Sequence, residues 1–161
     1  MTLTVCRIDD RLIHGQVVVG WGRPFEIERI VLVDDEVAAS EFERELYRMA
    51  VPEQMALEFL TVAEATARLP ALAEARDRVL VLTGSIPVMA ALARSHPELV
   101  RQINVGAVHD GPGRREYARY VYLSEQELAT LLGLVDLGIK VRAQDLPEAR
   151  AISVAGWKPT R

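Results

Sequence analysis

Short apolar runs alternate with longer amphipathic stretches along the whole chain. Residues 3–8, 29–33, 56–60, 78–82, 101–105, 117–123 and 138–143 read as strands. After their leading arginines, Arg29 and Arg78, the runs at 29–33 and 78–82 are wholly apolar, the mark of strands buried on both faces. Between the strands, helices are expected from near His14 to residues 20–22, before Pro24, and over 36–49, with Val37, Phe42, Leu46 and Met49 spaced for one face. Further helices are expected over 63–73, from the Thr83-Gly84-Ser85 turn through Ala93, and from a Ser124/Glu127 capping box through Leu134. A Gly/Pro-rich loop covers 109–114, and the tail past Pro147 carries little pattern. This order predicts an α/β fold in one domain spanning 1–161: a mostly parallel, twisted open sheet, helices on both faces and an antiparallel strand at one edge.

Composition narrows the function. Half of the 161 residues are hydrophobic and 26% are charged, a globular profile, with no linker, repeat or low-complexity tract. A net charge of −4 gives no basic face for nucleic acid. The single cysteine, Cys6, excludes an internal disulfide and fits a reducing cytoplasm. No secretory signal and no apolar run of roughly 18 residues is present, so a cytoplasmic protein without direct membrane insertion is expected. The three histidines share no metal-ligand spacing, and neither metal nor cofactor is expected.

The candidate chemistry lies in Arg7-Ile8-Asp9-Asp10-Arg11-Leu12-Ile13-His14-Gly15-Gln16-Val17. A strand delivers a histidine to a loop at the threshold of a helix, with two carboxylates and two arginines nearby. Open α/β sheets bind ligands at the carboxyl ends of their strands, and a helix start offers unpaired N–H groups to an anion. A neutral His14 nitrogen can attack phosphorus while the planar Arg11 fork pairs the charged oxygens. Gly15 lets backbone approach a phosphate, and Asp9 or Asp10 can pair an arginine or fix the imidazole tautomer. Phosphoryl transfer needs chiefly positioning and charge stabilisation, so no metal is required. Spacing alone reaches only an anion site, because Asp-Asp-Arg is also a common solvated, helix-capping turn.

That eleven-residue block, followed by Trp21, closely resembles the active-site segment of the IIB component of the mannose/fructose/sorbose family of the sugar phosphotransferase system. Val33-Asp34-Asp35-Glu36-Val37-Ala38 resembles the family's second strand and turn, and Asn104-Val105-Gly106 resembles its Asn-Val-Gly-Gly element, with Ala107 in place of the second glycine. The turn Thr83-Gly84-Ser85-Ile86-Pro87 also departs from the family's usual form. The resemblance implies that His14 is phosphorylated by a IIA component and acts as a protein-N(pi)-phosphohistidine–sugar phosphotransferase, donating to a sugar bound by the IIC and IID membrane components. It implies that Arg11 assists transfer and that Asp10 supports the loop. Gly15, Gln16, Thr83 and Ser85 are the expected phosphate-binding positions, although Thr83 and Ser85 suit helix capping equally well.

Other readings compete for the same residues. Ile30 to Glu36 looks like the first strand and acidic pair of a receiver domain, but Asp77 precedes its strand instead of ending it. A cysteine-phosphatase loop from Cys6 would need arginine where Leu12 stands, so Cys6 reads as a core residue. His96 reads as a turn residue, and His109 as a turn residue that can border the crevice. Arg114, Arg115 and Arg119 read as a solvated loop, and Trp21 as an anchor for the first helix. A regulatory phosphoprotein, with His14 phosphorylation controlling protein binding and no sugar transferred, needs the same loop. A homodimer is the default oligomer.

Overall fold

Five consecutive buried residues in Val79–Thr83 (β4) and five in Val5–Asp9 (β1) identify strands covered on both sides. The computed structural model describes residues 3–159. Strands β1, β2 (Arg29–Val33), β3 (Ala56–Leu60), β4, β5 (Gln102–Ala107) and β8 (Lys140–Ala143) pair in parallel, and β9 (Ile152–Ser153) adds the antiparallel edge. The order across this sheet is β3-β2-β4-β1-β5-β8-β9. β6 (Arg115–Ala118) and β7 (Val121–Leu123) form a separate hairpin.

Strand side chains alternate between two apolar layers. Cys6, Ile8, Val31, Val79, Val81, Ile103, Val105 and Val141 meet α3 (Val62–Glu74), α4 (Ile86–Ser95) and α5 (Glu125–Asp136) on one face. Val5, Ile30, Leu32, Leu80 and Leu82 meet the opposite layer, with Val17, Val18, Trp21 and Val37. That second layer is supplied by a π-helical segment, Gln16–Trp21, and by α1 (Asp35–Ala39) and α2 (Glu41–Met49). It covers β1 to β4 and leaves the polar side chains of β5 and β8 on that face open.

Several elements differ from the sequence reading. The first helix starts at Gln16 and winds as a π-helix, with Gly22 N–H bonded to Val17 O. Its three successive valines followed by glycine are poor α-helix formers. The helix expected over 36–49 is two helices. Ser40 is extended, closes α1 and caps α2 by accepting from Glu43 N–H. The break restarts the helical phase, so Val37 is buried while Phe42, Leu46 and Met49 face solvent at 73%, 50% and 84% exposure. Tyr47 is the α2 side chain that turns inward, against Phe59. The strand expected over 117–123 is instead the β6–β7 hairpin, turned by Tyr120 at φ 68°. β9 lies in the tail whose sequence carried little pattern.

Candidate active site

β1 lies between β4 and β5, and its carboxyl end delivers the loop that carries His14. Arg7 and Asp9, two apart on a strand, project to the same face. Both are fully buried and joined at 3.0 Å. Asp9 also grips Arg11, accepting from Nε at 2.9 Å, Nη2 at 2.7 Å and the backbone N–H at 3.1 Å. One carboxylate therefore ties the last turn of the strand to the first turn of the loop.

Both terminal nitrogens of Arg7 are held, while its buried Nε has no hydrogen-bond partner. Its guanidinium donates to Asn104 Oδ1, to Gln144 O and to Asp145 O, and lies 4.6 Å from the centre of the Trp21 ring. The Trp21 indole donates to Asp145 O at 2.7 Å, and its far face stacks on Phe25. Trp21 thus anchors the π-helix. Gly106 makes room for Arg7, since a Cβ there would lie 2.0 Å from Nη2. It is also the extra residue where the β1–β5 register shifts, between the Ile8–Val105 and Asp9–Ala107 pairs, a bulge beside the site. The Asn104-Val105-Gly106 element therefore has a physical meaning: the asparagine binds Arg7 and the glycine admits it.

Electrostatics follow from this packing. Burial pushes the Asp9 carboxyl up, but the bond from Arg11 and the charges of Arg7 and Arg11 outweigh it, so Asp9 lies below the usual carboxylate range. The bond to Asp9 holds Arg11 above its ordinary value. Arg11 is about a quarter exposed and also donates Nη1 to Gln16 Oε1 at 2.7 Å and Nη2 to Asp145 Oδ1 at 3.2 Å. Its Nε/Nη2 edge is taken by Asp9, so the fork is already filled, and one Nη1 hydrogen is left for a ligand.

His14 Nδ1 lies 2.9 Å from Leu12 O, an arrangement that puts the proton on Nδ1 and leaves the lone pair on Nε2. Nε2 is buried and has no hydrogen-bond partner. Leu12 turns the loop with φ 59°, a left-handed conformation that costs a non-glycine residue about 1–2 kcal/mol. The backbone of Gly84 approaches this turn closely, its Cβ position lying 3.1 Å from Leu12 Cδ2 and 3.2 Å from Asp10 Cα.

The remaining candidates fall in different places. Asp10 faces His109, accepting from its ring Nδ1 at 2.6 Å and its backbone N–H at 2.8 Å, so Leu12 O and not Asp10 sets the His14 tautomer. Gln16 holds Arg11. Gly15 is exposed with open space around it and ordinary right-handed helical backbone. Thr83 is buried and accepts from Ser85 N–H, while Ser85 caps α4 through Val88 N–H, keeping its own O–H to donate. Arg114 is no solvated residue: it grips Glu127 with Nε and Nη2, both at 2.9 Å, and donates to His109 O. Cys6 is buried, which pushes its thiol up to about 12 and leaves no thiolate. Asp34 caps α1, and Asp77 pairs with Arg29.

The structure adds Arg7, Asn104, Gln144 and Asp145 to the site. Two charged residues at alternate positions of an otherwise apolar strand were the available signal for Arg7 and Asp9. Gln144 and Asp145 gave none, because they follow the last apolar run.

Residues 3–156 match the family described as PTS system sorbose subfamily IIB component. The chain is 29% identical to the sorbose-specific EIIB component of Klebsiella pneumoniae over 88% of this chain and 85% of that protein. It is 26% identical to the fructose-specific EIIB component of Bacillus subtilis over 91% of this chain and 90% of that one. The fold resembles the crystal structure of the IIBSor domain of the Klebsiella pneumoniae sorbose permease, with a TM-score of 0.86 at 26% identity, covering 96% and 94% of the two chains.

Proposed function

This chain belongs to the family of sorbose-subfamily IIB components of the sugar phosphotransferase system, and from that premise we propose that it carries a phosphoryl group on His14, from a IIA-type phosphohistidine to a sugar. The observation that carries the reading is one loop holding both His14 and a permanently charged Arg11, fixed from beneath by the buried Arg7–Asp9 pair.

The acceptor nitrogen is Nδ1. Nε2 is buried where the ring sits, whereas Nδ1 is tied by a single bond to the carbonyl of its own loop. A turn of the ring breaks that bond, the proton moves to Nε2, and the Nδ1 lone pair meets phosphorus. The N–P bond of the donor breaks as the new one forms. In the second half-reaction a sugar hydroxyl oxygen bonds to phosphorus, the His14 N–P bond breaks, and the hydroxyl proton ends on the imidazole.

Arg11 supplies charge to the equatorial oxygens through the edge left by Asp9, with Gln16 and Asp145 as ligands that a phosphate displaces. The Ser85 O–H and the open backbone at Gly15 complete the cradle. Thr83 shapes the turn that presents Ser85, and Asp10 holds the loop to His109. The donor is a IIA component, and the sugar is held by IIC and IID membrane components at the cytoplasmic face. The protein itself has no helix long and apolar enough to cross a membrane among the described residues.

The test is transfer from labelled phosphoenolpyruvate through enzyme I, HPr and a mannose-family IIA. Acid-labile, alkali-stable label on wild type and none on His14→Ala is the expected result. Discharge of that label by membranes bearing IIC and IID with sugar establishes the second step, and label that no sugar discharges makes the protein a regulatory carrier instead. Equal labelling of His14→Ala overturns the assignment.

A further inference from the structure

A second site lies away from His14, on the part of the sheet that the π-helix and α2 leave open. A cleft of about 370 Å³ runs over the amino ends of β1 and β5 and along β8. That volume lies in the range of sites for small organic ligands. The register places Gln102 beside Lys140 and Asn104 beside Arg142, so four polar side chains form one patch on the same face. Arg101 stands at its rim, with Nε on Glu98 O.

Three cations therefore line this cleft, and no Asp or Glu does. The imbalance runs against the chain, which has 23 acidic and 19 basic residues. Elsewhere six arginines, Arg7, Arg11, Arg29, Arg48, Arg68 and Arg114, pair with carboxylates. The side chains of Lys140, Arg142 and Gln102 make no hydrogen bond or ion pair among the described residues. Uncompensated cations gathered in a concave site attract and hold an anion. Half-buried Phe25 and Leu99 also line the cleft and give it an apolar wall.

We propose that this cleft binds a small phosphorylated organic molecule, with the phosphate on Lys140 and Arg142, the body against Phe25 and a hydroxyl on Gln102. The cleft shares Asn104, Gln144 and Trp21 with the shell around Arg7, but the proposed ligand groups Lys140, Arg142 and Gln102 take no part in the phosphohistidine chemistry. The shared chemistry of a sugar phosphate and free phosphate is the anion, and the apolar wall favours the former.

Trp21 reports on the site, because its indole lies in the cleft wall and Trp157 stacks elsewhere, on Tyr117. Titration of the labelled protein with glucose 6-phosphate is expected to shift the Trp21 indole and the Gln102 and Lys140 amide signals saturably, with a Kd on the order of 1 mM or tighter. The Lys140→Glu/Arg142→Glu variant is expected to weaken that binding at least about tenfold. The milder Lys140→Gln/Arg142→Gln pair serves if the reversal fails to fold. Inorganic phosphate binding as tightly as glucose 6-phosphate would overturn the role of the apolar wall, and glucose binding equally would overturn the role of the cations. No saturable shift, or shifts that survive both variants, would overturn the site.

Discussion

The two faces of the sheet are built on opposite principles. Under α3, α4 and α5 the side chains are aliphatic almost without exception, and the layer is continuous from Ala65 to Leu134. Under the π-helix the apolar layer is smaller and abuts the buried Arg7–Asp9 pair, the partly exposed Arg11 and backbone carbonyls. The first face stabilises by removing apolar surface from water. The second sets positions, because buried charges tolerate only the arrangement in which every partner is present. The lesson is that the reactive loop is held by polar groups whose loss is expensive, while the chemistry-free face tolerates hydrophobic exchange.

The hardest way to break that contrast is Asp9→Ala. It leaves Arg7 buried without its carboxylate, and a loss of about 3–5 kcal/mol in urea unfolding is expected, with the loop released. Leu128→Ala, fully buried on the other face, is expected to cost a comparable 2–5 kcal/mol or so while leaving transfer by the folded fraction unchanged. Acid sharpens the same difference. Because Asp9 sits below its unfolded value of about 3.9, its stabilisation is complete above that pH and is lost as pH falls through the lowered native value. The wild-type stability curve should therefore fall more steeply below about pH 4 than that of Asp9→Ala.

Next in size is Arg11→Ala, expected to slow phosphorylation by about 10²–10³-fold in the IIA transfer assay. Arg11→Lys should recover little, since an ammonium cannot fork onto Asp9 and still reach a phosphate. Gly106→Ala forces Arg7 aside and is expected to cost about 1–3 kcal/mol, with a shifted Trp21 indole signal as the structural readout. The smallest effect expected is that of Ser85→Ala. Loss of the α4 cap should cost about 1 kcal/mol, with a transfer defect well below that of Arg11→Ala.

Sheet strands and their parallel pairing were legible because buried strands read as apolar runs whatever packs on them. Capping chemistry was legible where the pair is close in sequence, as at Ser124 and Glu127. The break at Ser40 was hidden by a run of helix formers on both sides, and with it went the orientation of Phe42, Leu46 and Met49. In the site, His14 and Arg11 stood out because they share one loop. The partner of Asp10 did not, since His109 is 99 residues away. Gln144 and Asp145 reach Arg7 across still longer separations in sequence, 137 and 138 residues, and through backbone carbonyls, which no residue pattern encodes.

The central claim is tested most directly by mapping the phosphoryl group after transfer from IIA, with fragmentation under alkaline conditions that preserve phosphohistidine. One phosphoryl group on His14, bonded to Nδ1, is the result this account predicts. A phosphoryl group on His109, which also lies at this crevice against Asp10, or on Nε2 of His14, would contradict it.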